Sequence, residues 1–308
     1  MEDFGRALAA GPLVLDGGLS NALAAAGHDL SDELWSARLL LDAPEALVAA
    51  HRAYYEAGAD VVITASYQAG FAGFARRGIG RRAAERLLAF SVALARRAGE
   101  EAAPAPGGRR RWVAASVGPY GAVLADGSEY RGRYGLSVAE LTRFHRPRLA
   151  ALAAAGPDVL ALETVPDADE ARALLTAVRG LGVPAWLSYT VAGGRTRAGQ
   201  PLERAFALAA EVPEVVAVGV NCCAPEEVGE AVRLAARVTG KPVVAYPNSG
   251  ERWAAADRSW HGTARGPAEW APGWVADGAR LVGGCCRVGP AEIAALAARL
   301  RSPGRPPG

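Results

Sequence analysis

Apolar residues in this chain gather in short, dense runs. The first is "PLVLDGG" (12–18), followed by "ADVVITASY" (59–67), "WVAASVGPY" (112–120) and "PDVLALETVP" (157–166). "PAWLSYT" (184–190), "VVAVGVNCC" (215–223), "KPVVAYPNSG" (241–250) and "ARLVGGCCR" (279–287) bring the number to eight. Each run is almost continuously apolar, the pattern of parallel strands covered on both faces. Between them lie stretches with helical spacing, such as "ALVAAHRAYYEA" (46–57), "DEARALLTAV" (169–178) and "EEVGEAVRLAARV" (226–238). The last carries acidic residues in its first turn, where the helix dipole favours them. Eight strands alternating with helices predict an α/β fold, a single-domain (β/α)8 TIM barrel over residues 1–301. Residues 302–308, "SPGRPPG", read as a disordered tail. An open doubly wound sheet is the competitor, disfavoured by the strand count and by the lack of a composition shift marking a second domain.

In such a barrel the working side chains sit where strands run into the following loops. Read off the eight runs, that position holds a polar set: Asp16, Thr64, Tyr120, Glu163, Ser188, Asn221, Asn248 and the cysteines. The longest strand-to-helix connections, 121–136 and 250–273, fall on the same face and imply a covered pocket. The stretch "APAPGGRRR" (103–111) precedes a strand, so it is expected on the opposite face as a solvated turn.

Composition narrows the classes of function. A net charge of +2 without a basic stripe interleaved with aromatics argues against a nucleic-acid partner. Neither a secretory signal pattern nor an apolar run of about 18 residues is evident, so no membrane association is expected. The single lysine, Lys241, opens the seventh run at the face opposite the site, which argues against Schiff-base chemistry. The four cysteines form two adjacent pairs, Cys222–Cys223 and Cys285–Cys286. Adjacent cysteines bridge only with strain, so this is no disulfide framework, and a cytoplasmic location is expected.

Both pairs lie at the same end of the sixth and eighth runs, whose strands contribute to one interior layer of the barrel. Three thiolates converging there would make a Zn2+ site with an open fourth position, the mark of a catalytic rather than a structural site. Period-two alternation lets only one of Cys222 and Cys223 point inward and does not say which. None of His28, His51, His145 and His261 sits at a strand end; His51 and His145 read as packing or surface residues, while His261 lies in a long loop within reach of a substrate. Asp16 and Glu163 could cap helices or suggest a glycosidase pair, although acid–base hydrolysis has no use for three thiols. A zinc- or thiol-based redox sensor is the non-enzymatic alternative.

With those residues in place, the chain resembles the zinc-dependent homocysteine S-methyltransferase family. The resemblance rests on "LDGGLSNALAAAG" (15–27), "DVVITASYQA" (60–69), "SVGPYGAVLADGSEYRGRYG" (116–135) and "LETVPDADEA" (162–171). "VGVNCCAP" (218–225), "YPNSGERW" (246–253) and "GGCCR" (283–287) extend it along nearly the whole chain. The "ADGSEYRGRYG" and "YPNSGERW" stretches are more similar to the branch using S-methylmethionine than to the betaine branch. The resemblance implies Cys222, Cys285 and Cys286 as zinc ligands, with Cys223 an extra thiol read as packing. It implies Asp16 and Glu163 on the amino group of homocysteine and the Gly17–Gly18 backbone beside its carboxylate. Thr64, Tyr120, Asn221 and Asn248 are further expected substrate contacts. Tyr120, Tyr130, Tyr134, Trp253 and Trp260 are candidate aromatic faces for a cationic donor. The implied reaction moves a methyl group from a sulfonium, S-methylmethionine or S-adenosylmethionine, to homocysteine. Betaine-type transfer, or transfer to another thiol or selenol, is the alternative. The expected partners are these small molecules alone, with a monomeric chain.

Overall fold

The computed structural model describes residues 3–30, 34–254 and 259–302, so the proposed tail beyond Ser302 lies outside the described residues. Each apolar run supplies one barrel strand: β1 (Leu13–Val14), β2 (Val61–Ile63), β3 (Trp112–Val117) and β4 (Val159–Val165). The second half is β5 (Ala185–Tyr189), β6 (Val215–Asn221), β7 (Val243–Tyr246) and β8 (Ala279–Val282). The strands form one parallel eight-stranded sheet in chain order, and β1 pairs with β8 through Leu13↔Leu281 and Val14↔Val282. A bridge between Leu15 and Val61 joins β1 to β2 and closes the barrel. The expected helices appear at Pro44–Glu56, Ala168–Ala177 and Pro225–Thr239. The proline opening two of them costs nothing there, because the first-turn amide would be unpaired anyway.

Continuous apolar runs make two cores. Outward residues such as Val62, Val113, Leu160, Leu187, Val218 and Val282 pack against the helices. Residues of opposite parity, among them Leu15, Ala114, Ala161, Trp186, Ala217 and Leu281, fill the barrel interior. Small residues facing Trp112, Trp186 and Tyr246 let these rings share the narrow lumen; Trp186 and Tyr246 meet edge-on at 6.2 Å. The bottom is plugged by helix Phe4–Ala10, capped by the Asp3 carboxylate, whose Phe4 ring meets Trp112 at 5.2 Å.

The "APAPGGRRR" stretch lies on this face as a largely exposed turn, as expected, and its arginines are tied down. Arg109 pairs with buried Asp60 at 2.7 Å, while Arg110 reaches Asp158 and lies over the Trp112 ring. Asp60 also accepts from Val14 N and from Arg301, so one carboxylate gathers the first strand, this turn and the last helix. Lys241 donates to the Val212 and Val215 carbonyls on this lower face, away from the site. Among the described residues no helix is long and apolar enough to cross a membrane.

Removing the plug ring by Phe4→Ala leaves a cavity under Trp112. It should lower the unfolding free energy by about 3–5 kcal/mol, the usual loss for a buried phenylalanine, as measured by urea denaturation.

Candidate metal centre and substrate cavity

Interior parity carries polar residues up the strands into the mouth. Above Ala114 comes Ser116, above Ala161 comes Glu163, above Trp186 comes Ser188, and above Val244 comes Tyr246. These four form one network. The Tyr246 hydroxyl donates to Glu163 Oε2 at 2.9 Å, the Ser116 hydroxyl donates to Glu163 Oε1, and Ser188 and Trp186 Nε1 both meet the Tyr246 oxygen. Burial pushes the Glu163 carboxyl up to about 7, against the pull of the Ser116 and Tyr246 hydrogen bonds. Asp16 is pushed well above the usual carboxylate range, chiefly by burial, with Ile63 N–H opposing and Glu163 adding. Ile63 N–H donates to Asp16 Oδ2 at 2.8 Å, whereas Oδ1 is buried with no hydrogen-bond partner.

The sulfurs of Cys222, Cys285 and Cys286 lie within 4.8 Å of one another. Cys222 and Cys286 are 3.8 Å apart, and the cysteines are free. A tetrahedral metal with sulfur ligands at about 2.3 Å places those sulfurs about 3.8 Å apart, the separation seen between Cys222 and Cys286, so the trio is of the size a zinc-like ion takes. The choice between Cys222 and Cys223 is made by the backbone. Cys222 has φ +48° and leaves the strand in the left-handed region, turning its thiol into the mouth, while Cys223 is fully buried in the outer core. The three thiols shift one another's acidities. Cys286 is held well below the ordinary thiol range by hydrogen bonds from Cys222 and Cys285. Cys285 is raised by its bonds to the other two and by burial. At Cys222 the bond with Cys285 lowers the thiol, but the bond with Cys286 and burial outweigh it.

The Asn248 segment holds both cysteine loops. Asn248 N–H donates to the Cys223 carbonyl at 2.9 Å, and its side-chain oxygen accepts from Cys286 N–H at 3.2 Å. Asn221 performs a similar task between β6 and β4. Its Oδ1 accepts from Thr164 N–H and its Nδ2 donates to Thr164 Oγ1, both at 2.7 Å. Thr164 has φ +56°, and the β4–β5 register shifts between Leu162 and Val165, just as the strand leaves Glu163.

The cavity at this mouth is bordered by Gly17, Gly18, Thr64, Glu163 and the three clustered cysteines. Asp16 adjoins it through Gly17. Asn221 and Asn248 stand behind its wall as braces, and Tyr120 lies outside it, packed on Tyr134 and Phe144 at 5.2 and 4.9 Å. His261 is exposed and outside the lining, and His51 and His145 are buried packing residues. Trp253 and Trp260 have side chains outside the described residues. The glycines of "GGCC" serve packing: a Cβ on Gly283 would fall 2.5 Å from Leu15 Cβ, and one on Gly284 would fall 2.2 Å from Val288. Sequence reasoning passed over Ser116, Tyr246 and Glu129 as cavity residues. For the first two the signal was present, since each lies two positions beyond an interior residue.

A barrel with three clustered thiols and two buried carboxylates at its mouth is the scaffold of an enzyme with a metal-binding site acting on small molecules. A family model described as homocysteine S-methyltransferase matches residues 13–300. Homocysteine S-methyltransferase from Escherichia coli (strain K12) is 47% identical over 293 residues, covering 93% of this chain and 94% of the relative. Homocysteine S-methyltransferase 4 of Zea mays is 45% identical over 309 residues, covering 95% and 90%. The metallated form of the homocysteine methyltransferase MmuM from Escherichia coli matches with a TM-score of 0.83 at 45% identity, covering 94% of this chain and 96% of that one. The chain belongs to the homocysteine S-methyltransferase family.

The upward shift of the Glu163 carboxyl has a testable sign. The folded value of about 7 lies above the ordinary value of 4.5, so folding favours the protonated form and stability falls as pH rises between those values. In protein stripped of metal and substrate, Glu163→Gln should match the parent near pH 4.5 and exceed it by up to about 3 kcal/mol at pH 8. Thermal unfolding across that range reads the difference.

Proposed function

We propose that this chain transfers a methyl group from a sulfonium donor to the thiol of L-homocysteine, giving methionine, with zinc held by Cys222, Cys285 and Cys286. The observation that carries this reading is the meeting of three sulfurs within 4.8 Å of one another in a cavity that also presents Glu163. When bound, zinc would supply the Lewis acidity that makes the substrate thiol a thiolate at neutral pH. Family membership and the thiol spacing both support that metal.

The chain's own residues do the rest. Asp16 and Glu163 are proposed to receive the homocysteine ammonium, whose charge would draw both buried carboxyls back toward their ionised forms. The unpartnered Asp16 Oδ1 is an acceptor awaiting such a donor. The Gly17–Gly18 turn borders the same space with no side chain to crowd a carboxylate. In the transfer, the homocysteine sulfur bonds to the methyl carbon as the carbon–sulfonium bond breaks. The bonding pair stays on the donor sulfur, which leaves as a neutral thioether. Opposite charges disappear together, so a cavity that excludes water favours the step. Of the proposed substrate contacts, Thr64 borders the cavity; Asn221, Asn248 and Tyr120 are assigned to support. The chain is proposed to work as a monomer in the reducing cytoplasm, where its thiols remain available to metal.

A donor panel tests this reading: S-methylmethionine, S-adenosylmethionine and betaine, each with homocysteine and zinc. Methionine should form with a sulfonium and not with betaine; formation with betaine alone would overturn the donor class. Cys285→Ser should lose tight zinc and turnover together, by at least about a hundredfold in turnover; an active, zinc-free variant would refute the ligand set.

A further inference from the structure

Every side chain lining the cavity among the described residues is neutral, acidic or a thiol; none is basic. Such a wall favours cations, and two of its anionic groupings already have a proposed cation: the thiols a metal, Asp16 and Glu163 an ammonium. A third anion remains. Glu129 borders the cavity, and its Oε2 is buried with no hydrogen-bond partner. Burial pushes its carboxyl above the ordinary carboxylate range, with its own backbone amide opposing and Cys222 and Asp126 adding. A buried carboxylate oxygen left unpaired is a standing free-energy cost unless a ligand satisfies it.

The surroundings of Glu129 suit a positively charged sulfur. The Tyr67 and Tyr130 rings border the same cavity, and the Tyr130 hydroxyl stands 3.1 Å from Cys222 Sγ. Aromatic faces attract a soft cation, and the carboxylate supplies the full countercharge. The segment is built to hold this position. Asp126 Oδ1 accepts from Ser128 N–H, Gly127 turns with φ +78°, and a Cβ on Gly121 would fall 2.4 Å from Glu129 N. Beyond it, Arg133 N–H donates to Asp167 and its guanidinium donates to the Ala198 carbonyl. Glu129 therefore comes from a loop pinned on both sides.

We propose that Glu129, flanked by Tyr67 and Tyr130, is the countercharge that seats the sulfonium of the methyl donor beside the thiol cluster and selects cationic over neutral donors. This rests on the sulfonium-donor reading above. It makes Glu129 a specificity-determining residue of the donor half of the cavity, separate from the pair assigned to homocysteine.

Zinc-loaded Glu129→Gln tests it, with S-methylmethionine as donor and the trimethylsulfonium ion as a competing probe. The variant should raise the donor KM and the trimethylsulfonium inhibition constant by about tenfold or more, the scale of a lost charge-assisted contact. The homocysteine KM should stay within about twofold, and the zinc content should not change. Glu129→Asp keeps the charge and should recover part of the loss, and it serves as the second variant should glutamine impair folding. Unchanged donor KM and inhibition by trimethylsulfonium in Glu129→Gln would overturn the proposal, as would an equal rise in both KM values. Failure of the parent enzyme to use any sulfonium would instead overturn the donor reading itself.

Discussion

Three sulfurs held within 4.8 Å of one another are the constraint around which the upper half of this barrel is arranged. Three thiolates that close repel strongly in a water-poor site, so burial and mutual contact oppose ionising all three at once. A divalent metal removes the conflict by supplying shared positive charge. The backbone must hold the sulfurs in place before the metal arrives. That work falls to Asn248, which bonds the Cys223 carbonyl with its amide and the Cys286 amide with its side chain. Thr190 adds a hydrogen bond to the Cys222 carbonyl from the neighbouring strand end.

The same constraint explains where the barrel is strained. Cys222 and Thr164 both occupy the left-handed region, which costs a non-glycine residue roughly 1–3 kcal/mol. Asn221 links the two, since it immediately precedes Cys222 and its side chain makes two hydrogen bonds to Thr164. At about 1 kcal/mol each, those bonds offset much of the strain. The strained turns do local work: one swings Cys222 into the mouth, and the other ends the strand immediately after the inward-facing Glu163. The thiol side and the carboxylate side of the cavity are thus joined through one buried amide side chain.

Strand count, strand order and the functional face could be read from the sequence, because eight dense apolar runs leave few alternatives and barrel chemistry collects at one end. The cysteine cluster could be read for the same reason. Periodicity alone could not say which of Cys222 and Cys223 joins it, and only the family resemblance pointed to Cys222, since the parity of Ala217 and Gly219 continues to Asn221 and would turn Cys223 inward. A single positive φ resets that parity, and local periodicity carries no trace of it. Asn221, Asn248 and Tyr120 were expected against substrate because they are polar and lie at strand ends. That position serves equally well for bracing neighbouring loops, and only the partner atoms distinguish the two roles. Glu129 escaped notice because it belongs to a long loop, where spacing says nothing about which way a carboxylate points.

The most direct test of the account is the sulfur count at bound zinc, measured by X-ray absorption before and after homocysteine is added. Three sulfurs at about 2.3 Å with one lighter atom, becoming four sulfurs with homocysteine, is the predicted result. Fewer than three sulfurs in the substrate-free protein, or no sulfur gained on adding homocysteine, would contradict the proposed site.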